Sequence, residues 1–316
     1  MNVPILNNFI TIAEQVGVVF VIVLLGFAGG KTGLFGDEAS DGMANIAVSY
    51  VTPALVIMAF QREFEMSLVH GFLLTMAGDL LAFFFCVVLS LLVIRQGKPE
   101  RKSVLRTATI FSNIGMMALP LQQALFGSDG VFYCAASIAV FNLTFWSYCA
   151  VTMGERGKGE WKSVLKRVFL NPGILGTIVG LILFFGSITV PKIPAIAMNN
   201  LANLNMPMCM LVIGQRLSKI PLKTLFNDKG IWKTVGIRLI LVPLIMAAAL
   251  WLLGIRGPVA VCLVISVAAP TAASVNFLAI TYKQDVDLAA KSVSMHTILS
   301  LISMPVLIAL VYGWLM

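Results

Sequence analysis

Apolar residues run through this chain in long unbroken blocks, without the alternation of a half-buried strand or the one-sided stripe of a soluble helix. A helix needs roughly 20 mostly apolar residues to cross a bilayer. Blocks of that kind fall near 9–30, 43–60, 68–94, 105–126, 130–153, 170–187, 194–214, 232–254, 258–281 and 290–314. The pattern predicts an all-α integral membrane protein with ten transmembrane helices and compact connections.

The polar residues between the blocks test that count, because a missed or invented span would scramble the alternation of Lys and Arg between successive connections. Arg95, Lys98, Arg101, Lys102 and Arg106 follow the third span, and Arg156, Lys158, Lys162, Lys166 and Arg167 follow the fifth. Arg216, Lys219, Lys223, Lys229, Lys233 and Arg238 follow the seventh. With Lys31, Lys283 and Lys291, these are all of the 22 basic residues except Arg62, Lys192 and Arg256. The rich side is cytoplasmic by this rule, so both termini are expected outside. Trp161, Val164, Leu165, Val168 and Phe169 recur at helical spacing beside Lys158, Lys162, Lys166 and Arg167, as in a helix lying on the membrane surface.

Composition narrows the class further. The 316 residues are 59% hydrophobic and only 11% charged, and the mean hydropathy is +0.95. Soluble chains carry about a quarter charged residues, so soluble, disordered and secreted disulfide-rich proteins are excluded. The net charge of +8 belongs to the inner connections rather than to a nucleic-acid surface. Cys86, Cys134, Cys149, Cys209 and Cys262 all lie in apolar segments without metal-ligand spacing and read as packing residues. No metal or cofactor is expected. The first basic residue is Lys31, so no basic region precedes the first block and that span is expected to remain in the mature protein.

The prolines suggest an internal repeat. Pro53 in the second span and Pro207 in the seventh are 154 positions apart, and Pro120 in the fourth and Pro270 in the ninth are 150 apart. Halves 1–153 and 154–316, with five spans each, would enter the membrane from opposite sides. Such inverted repeats recur in secondary transporters, which bind substrate near the midplane where discontinuous helices meet. Coincidence is the alternative, since proline is common in membrane helices.

The fourth span, ATIFSNIGMMALPLQQALFG, and the ninth, SVAAPTAASVNFLAITY, are too polar for lipid-facing helices. Proline removes an N–H and crowds the preceding turn, yet suits the first position of a helix. Each span is therefore expected to stop before Pro120 or Pro270 and restart there. The restarted ends would present N–H groups and about half a positive charge each at mid-membrane, which suits an anion. Ser112, Asn113, Thr271, Ser274 and Asn276 surround these points as candidate substrate ligands, or as polar groups that merely bond neighbouring helices. Asp79, 11 residues into the third span, is the clearest intramembrane acid and a candidate for a proton or cation. Arg238 is a candidate for holding the substrate anion or for snorkelling to the inner face. His296 is a further ionisable group at depth, or a satisfied structural histidine.

The segment SNIGMMALPL, Ser112 to Leu121, resembles the fourth span of the auxin efflux carrier family. Over nearly the whole chain the resemblance extends to Pro53-Ala54, Asp79, Arg238-Leu239, Val242 to Leu244 and Ala269-Pro270. It implies ten helices in two inverted repeats with crossed broken helices 4 and 9, a fold shared with bile-acid sodium symporters. It also implies elevator transport, with spans 1, 2, 6 and 7 as scaffold and spans 3–5 and 8–10 carrying the substrate. Asn113, Pro120 and Pro270 would be substrate-site elements, and Asp79 part of a support site. Phe83 stands where some plant PIN-FORMED carriers have a basic residue four positions after that Asp. The short connections resemble bacterial members, which implies a bacterial cytoplasmic membrane and a small organic anion, a mono- or dicarboxylate such as malate or an auxin-like acid. A homodimer through scaffold spans 2 and 7 is a further implication. A sodium-coupled symporter of the bile-acid type is the alternative, with H+ or Na+ as the coupling ion in either case. An intramembrane enzyme or a channel is disfavoured, since the acid, Ser/His or metal constellation that an enzyme needs is missing at depth.

Overall fold

The computed structural model describes residues 3–152, 166, 169–219 and 225–316. Most of the expected surface helix around 158–168 and the boundary at 153/154 between the expected halves lie outside the described residues. The described chain is helical: α1 (Val3–Thr32), α2 (Asp37–Ala59), α3 (Met66–Val93), α4 (Pro99–Ile110), α5 (Leu119–Thr152), α6 (Pro172–Phe185), α7 (Lys192–Ser218), α8 (Lys229–Leu252), α9 (Pro258–Ala268), α10 (Ser274–Thr281) and α11 (Val286–Leu315). Among the described residues, six helical stretches are long and apolar enough to cross a membrane, and three shorter apolar helices accompany them. The protein is an integral membrane protein in architecture, with apolar side chains turned outward along α3, α7 and α11 as well as inward.

Local sequence explains where these helices begin. Pro99, Pro172 and Pro258 occupy the first turns of α4, α6 and α9, where a missing N–H is harmless. The side chains of Asn171, Asp228 and Asp285 cap α6, α8 and α11 by accepting backbone N–H groups of the first turn. Pro207 stands in the first turn after an interruption of α7 at Asn203 and Leu204.

Three other prolines are absorbed rather than obeyed as stops. Wide π turns at Ala47–Val51, Ile114–Ala118 and Gly236–Leu241 end just before Pro53, Pro120 and Pro243. In each case the residue preceding the proline donates its N–H five residues back: Thr52 to Ala47, Leu119 to Ile114, Val242 to Ile237. The wider turn makes room for a ring that would otherwise strike the carbonyl four residues back. The expected stop before Pro120 is thus corrected. The helix runs through that proline, and the interruption lies upstream at Phe111–Asn113.

Glycines decide how the helices pack. Gly26 meets the backbone of Leu211, and Gly214 that of Val23, so α1 and α7 touch main chain to main chain. On α6, Gly176 and Gly180 sit against Pro53 and Phe60 at the end of α2, where an added Cβ would come within 2.9 Å and 2.5 Å of them. Helices α1, α2, α6 and α7 form one group. In the other, Gly78 of α3 lies on Leu263 of α9, and α5 packs on both of these helices. Gly127 breaks the run of α5 with φ +56°. Beyond it the backbone of Gly130 touches Gln122, so the chain doubles back there into two antiparallel arms.

Candidate functional site

Two interruptions face each other in the second group of helices. α4 ends at Ile110 and α9 at Ala268, and the extended residues that follow pair antiparallel, Ser112 opposite Thr271. The Asn113 N–H donates to the Pro270 carbonyl at 2.7 Å and the Ala272 N–H to the Phe111 carbonyl at 3.0 Å. The Thr271 hydroxyl donates to the Ala108 carbonyl at 2.6 Å. Unpaired backbone groups are expensive in an apolar medium, and each interruption supplies what the other lacks.

The arrangement sorts four helix ends by charge. The carboxyl ends of α4 and α9 converge on Arg238, which is 2% exposed. Its Nε donates to Ala269 O at 3.3 Å, and its Nη1 to Ile110 O at 3.2 Å, Thr109 O at 3.5 Å and Cys86 Sγ at 3.6 Å. A guanidinium is well placed there, since the carboxyl end of a helix carries about half a negative charge. Of the two readings of Arg238, anion holder or snorkelling side chain, this burial among helix carboxyl ends does not fit the second. Arg238 also lines a cavity of about 30 Å³ with Asp79, Ser112, Ser137 and Thr144, space for about one water. Asp79 is 7% exposed, and among the described residues its Oδ2 has no hydrogen-bond partner.

The amino ends of the restarted helices, at Ile114 and Ser274, face a different cavity of about 210 Å³. Thr52, Ser112, Asn113, Asn142, Asn171 and Ser274 are its polar lining, and among the described residues no Asp, Glu, Lys, Arg or His side chain contributes to it. Positive helix ends and neutral amides thus share one hollow, which lies between the two groups of helices. One hydrogen bond between those groups runs close by in sequence: Asn205 Nδ2 of α7 donates to Gln123 Oε1 of α5 at 3.4 Å.

The candidates from the sequence therefore divide. Ser112, Asn113 and Ser274 line the larger cavity, and Ser112 also borders the smaller one with Asp79 and Arg238. Pro120, Pro270, Thr271, Asn276 and His296 line neither cavity. Pro270 and Thr271 instead build the paired interruption. The Asn276 Oδ1 is buried without a hydrogen-bond partner among the described residues. His296 is fully buried, with Nδ1 2.7 Å from the Ser292 carbonyl one turn back. Thr52, Asn142 and Asn171 escaped the sequence reading. Asn171 caps α6, its Oδ1 accepting the Gly173 N–H at 3.0 Å, and Asn before Pro is the signal by which the sequence could have placed it at a helix start.

Residues 11–164 and 160–308 match a family described as membrane transport protein. The chain belongs to that family. This agrees with the resemblance to auxin efflux carriers and makes the protein a multi-pass membrane transporter rather than an enzyme. An uncharacterized transporter of Methanothermobacter thermautotrophicus is 25% identical over 303 residues, covering 94% of this chain and 97% of its own. One from Methanocaldococcus jannaschii is 24% identical over 315 residues, covering 96% and 98%.

Proposed function

We propose that this membrane transport protein is a secondary transporter of a small organic anion, a mono- or dicarboxylate, working by alternating access. The observation that carries the proposal is the cavity of about 210 Å³ into which two helix amino ends point. Together they offer about one positive charge, with no basic side chain among the described lining residues. Ser112, Asn113 and Ser274 bind the carboxylate, Pro270 and Thr271 hold the interruption open, and Pro120 shapes the restart through its π turn. Asp79, beside Arg238 and the smaller cavity, takes the coupling proton or sodium ion. Its unpartnered oxygen favours cation coupling, which keeps the sodium-symporter alternative in view. Asn276 and His296 support these elements from outside the cavities.

The same reading organises the whole chain. Ten spans in two inverted five-helix repeats, with an elevator motion of spans 3–5 and 8–10 against spans 1, 2, 6 and 7, fit the two packing groups. Both termini lie on the side of the cytoplasmic membrane opposite the basic connections. A second copy docks on α2 and α7, where Tyr50 and Ile193 are 67% and 82% exposed. The test is uptake into proteoliposomes over a panel of carboxylates, with and without sodium and a pH gradient. Saturable uptake of one acid class is expected, with Asn113→Ala weakening binding at least tenfold and the exposed Leu34→Ala leaving it unchanged. An Asn113→Ala protein that binds the transported acid normally would remove the cavity from the mechanism.

A further inference from the structure

The cavity and the closed face of the molecule stand at opposite ends of α6. Asn171 and Gly173, at its start, line the cavity, whereas Phe184, near its end, joins a cluster of aromatic rings. Fourteen residues at 1.5 Å rise separate these ends by about 20 Å.

That cluster bridges the two groups of helices. Phe60, after α2, packs on Phe132 of α5 at 4.7 Å between ring centroids and on Phe72 of α3 at 5.9 Å. Phe184 of α6 packs on Phe132 at 5.8 Å. Phe60 is fully buried and Phe132 is 1% exposed, so the rings meet without water between them; a hollow of about 510 Å³ that Phe60 and Arg62 also border lies on the α2 and α6 side of this contact, against Phe64, Leu183 and Ile188. Arg62 sits on the rim. Its Nε donates to the Ala59 carbonyl at 2.8 Å, which fixes it to the end of α2. Its guanidinium lies 5.0 Å from the Phe132 ring, and its Nη1 donates to Asp129 Oδ1 at 2.6 Å. Asp129 follows the Gly127 turn and belongs to the opposite group. The Arg62 and Asp129 side chains are 16% and 52% exposed, so the pair stands at the boundary with water.

We propose that Arg62 and Asp129, seated over the aromatic plug, form a latch that holds this end shut and must part before the binding cavity can open towards it. The proposal rests on the alternating-access reading. A hollow between the two groups at one end and a filled seam at the other are the two halves of a single state. Any motion that opens the seam separates Phe60 and Phe184 from Phe72 and Phe132, and breaks an ion pair whose partners are fixed to different groups. The pair thereby sets how often the closed end opens. Transport should be fastest when the latch is neither missing nor reinforced, since a carrier that rests too long in either state turns over slowly.

Amide hydrogen exchange on the full chain in nanodiscs tests this without knowledge of the substrate, because exchange follows the population of the opened form. Asp129→Asn should raise exchange about fivefold, or about 1 kcal/mol, together over 69–75, 130–135 and 181–186. The first and last of these do not touch Asp129, and they move only if the whole seam parts. Arg62→Gln should give the same pattern, Asp129→Glu should restore that of the wild type, and 20–27 and 209–216 between α1 and α7 should stay unchanged in all. A rise confined to 60–64 and 127–131, a change in only one of the two neutral variants, or none at all would overturn the latch. A wild-type protein that moves no acid in the proteoliposome assay would remove the transport reading instead, whatever the exchange pattern.

Discussion

Arg238 ties together the two helix ends at the paired interruption. It donates to carbonyls at the carboxyl ends of two helices and borders the cavity of Asp79, all while buried. Removing it leaves buried carbonyls without their donor, at a cost of about 1–3 kcal/mol each. Arg238→Gln is therefore expected to lower the melting temperature sharply in detergent, and an unchanged melting temperature would deny it this role. Asp228 makes a gentler case at the water boundary. Burial would push its carboxyl up, but the Arg101 guanidinium, 2.6 Å and 2.8 Å from its two oxygens, and the Gly230 and Ile231 N–H groups hold it below the usual carboxylate range. A lowered value in the folded protein stabilises at higher pH and is lost as pH falls through that value. Asp228→Asn should melt earlier at neutral pH, and should show a flatter loss of stability between about pH 5 and pH 3 than the wild type; parallel pH curves would count against the pair. Ser112, Asn113 and Ser274 were legible in the sequence because polar groups within apolar runs stand out. Thr52, Asn142 and Asn171 were not, because only the apposition of distant helices turns them towards one hollow.

Helices were easier to read than their interruptions. Long apolar blocks determine where a chain can cross a membrane, and most expected spans coincide with helices of the structure, Asp37–Ala59 and Met66–Val93 among them. A proline within such a block has two outcomes, a stop or a widened turn, and which one wins depends on what can receive the freed backbone groups. Around Pro120 the π turn settles it locally, whereas Phe111–Asn113 can be non-helical only because Pro270 and Ala272 lie opposite. No window of local sequence contains that fact. Main-chain contact between α1 and α7 was equally hidden among the many glycines. Gly214→Ala would drive a methyl group into the Val23 carbonyl, and overpacking of this kind costs about 3 kcal/mol or more when backbone must move. The expected result is a large drop in folded yield and melting temperature, while Gly17→Ala, with open space around it, should be neutral.

At the scale of the molecule, α7 carries an exposed face on which apolar and amide side chains are mixed. Along α7, Ile193 and Ile196 are 82% and 52% exposed, and Asn199 and Asn200 beside them are exposed as well. Amide side chains turned to hydrocarbon are unfavourable without partners, so a second copy on this face would satisfy them. Ile196→Arg is expected to convert a dimer into a monomer by mass measurement in mild detergent; a wild-type protein that is monomeric at every concentration would rule out that docking. Overall organisation was legible as far as the membrane class, because that depends on composition along the chain. The grouping of helices was not, because it depends on which faces carry glycine at which height.

The paired interruption has a bearing on how this chain can change. Asn113 and Pro270 are each other's hydrogen-bond partners across the two halves of the sequence. A substitution that heals one segment into continuous helix strands the main chain of the other in oil. Neither half can therefore be edited on its own merits: the two segments stand or fall as one heritable unit, and a swap that looks harmless in the first has to be judged by the damage it does in the second.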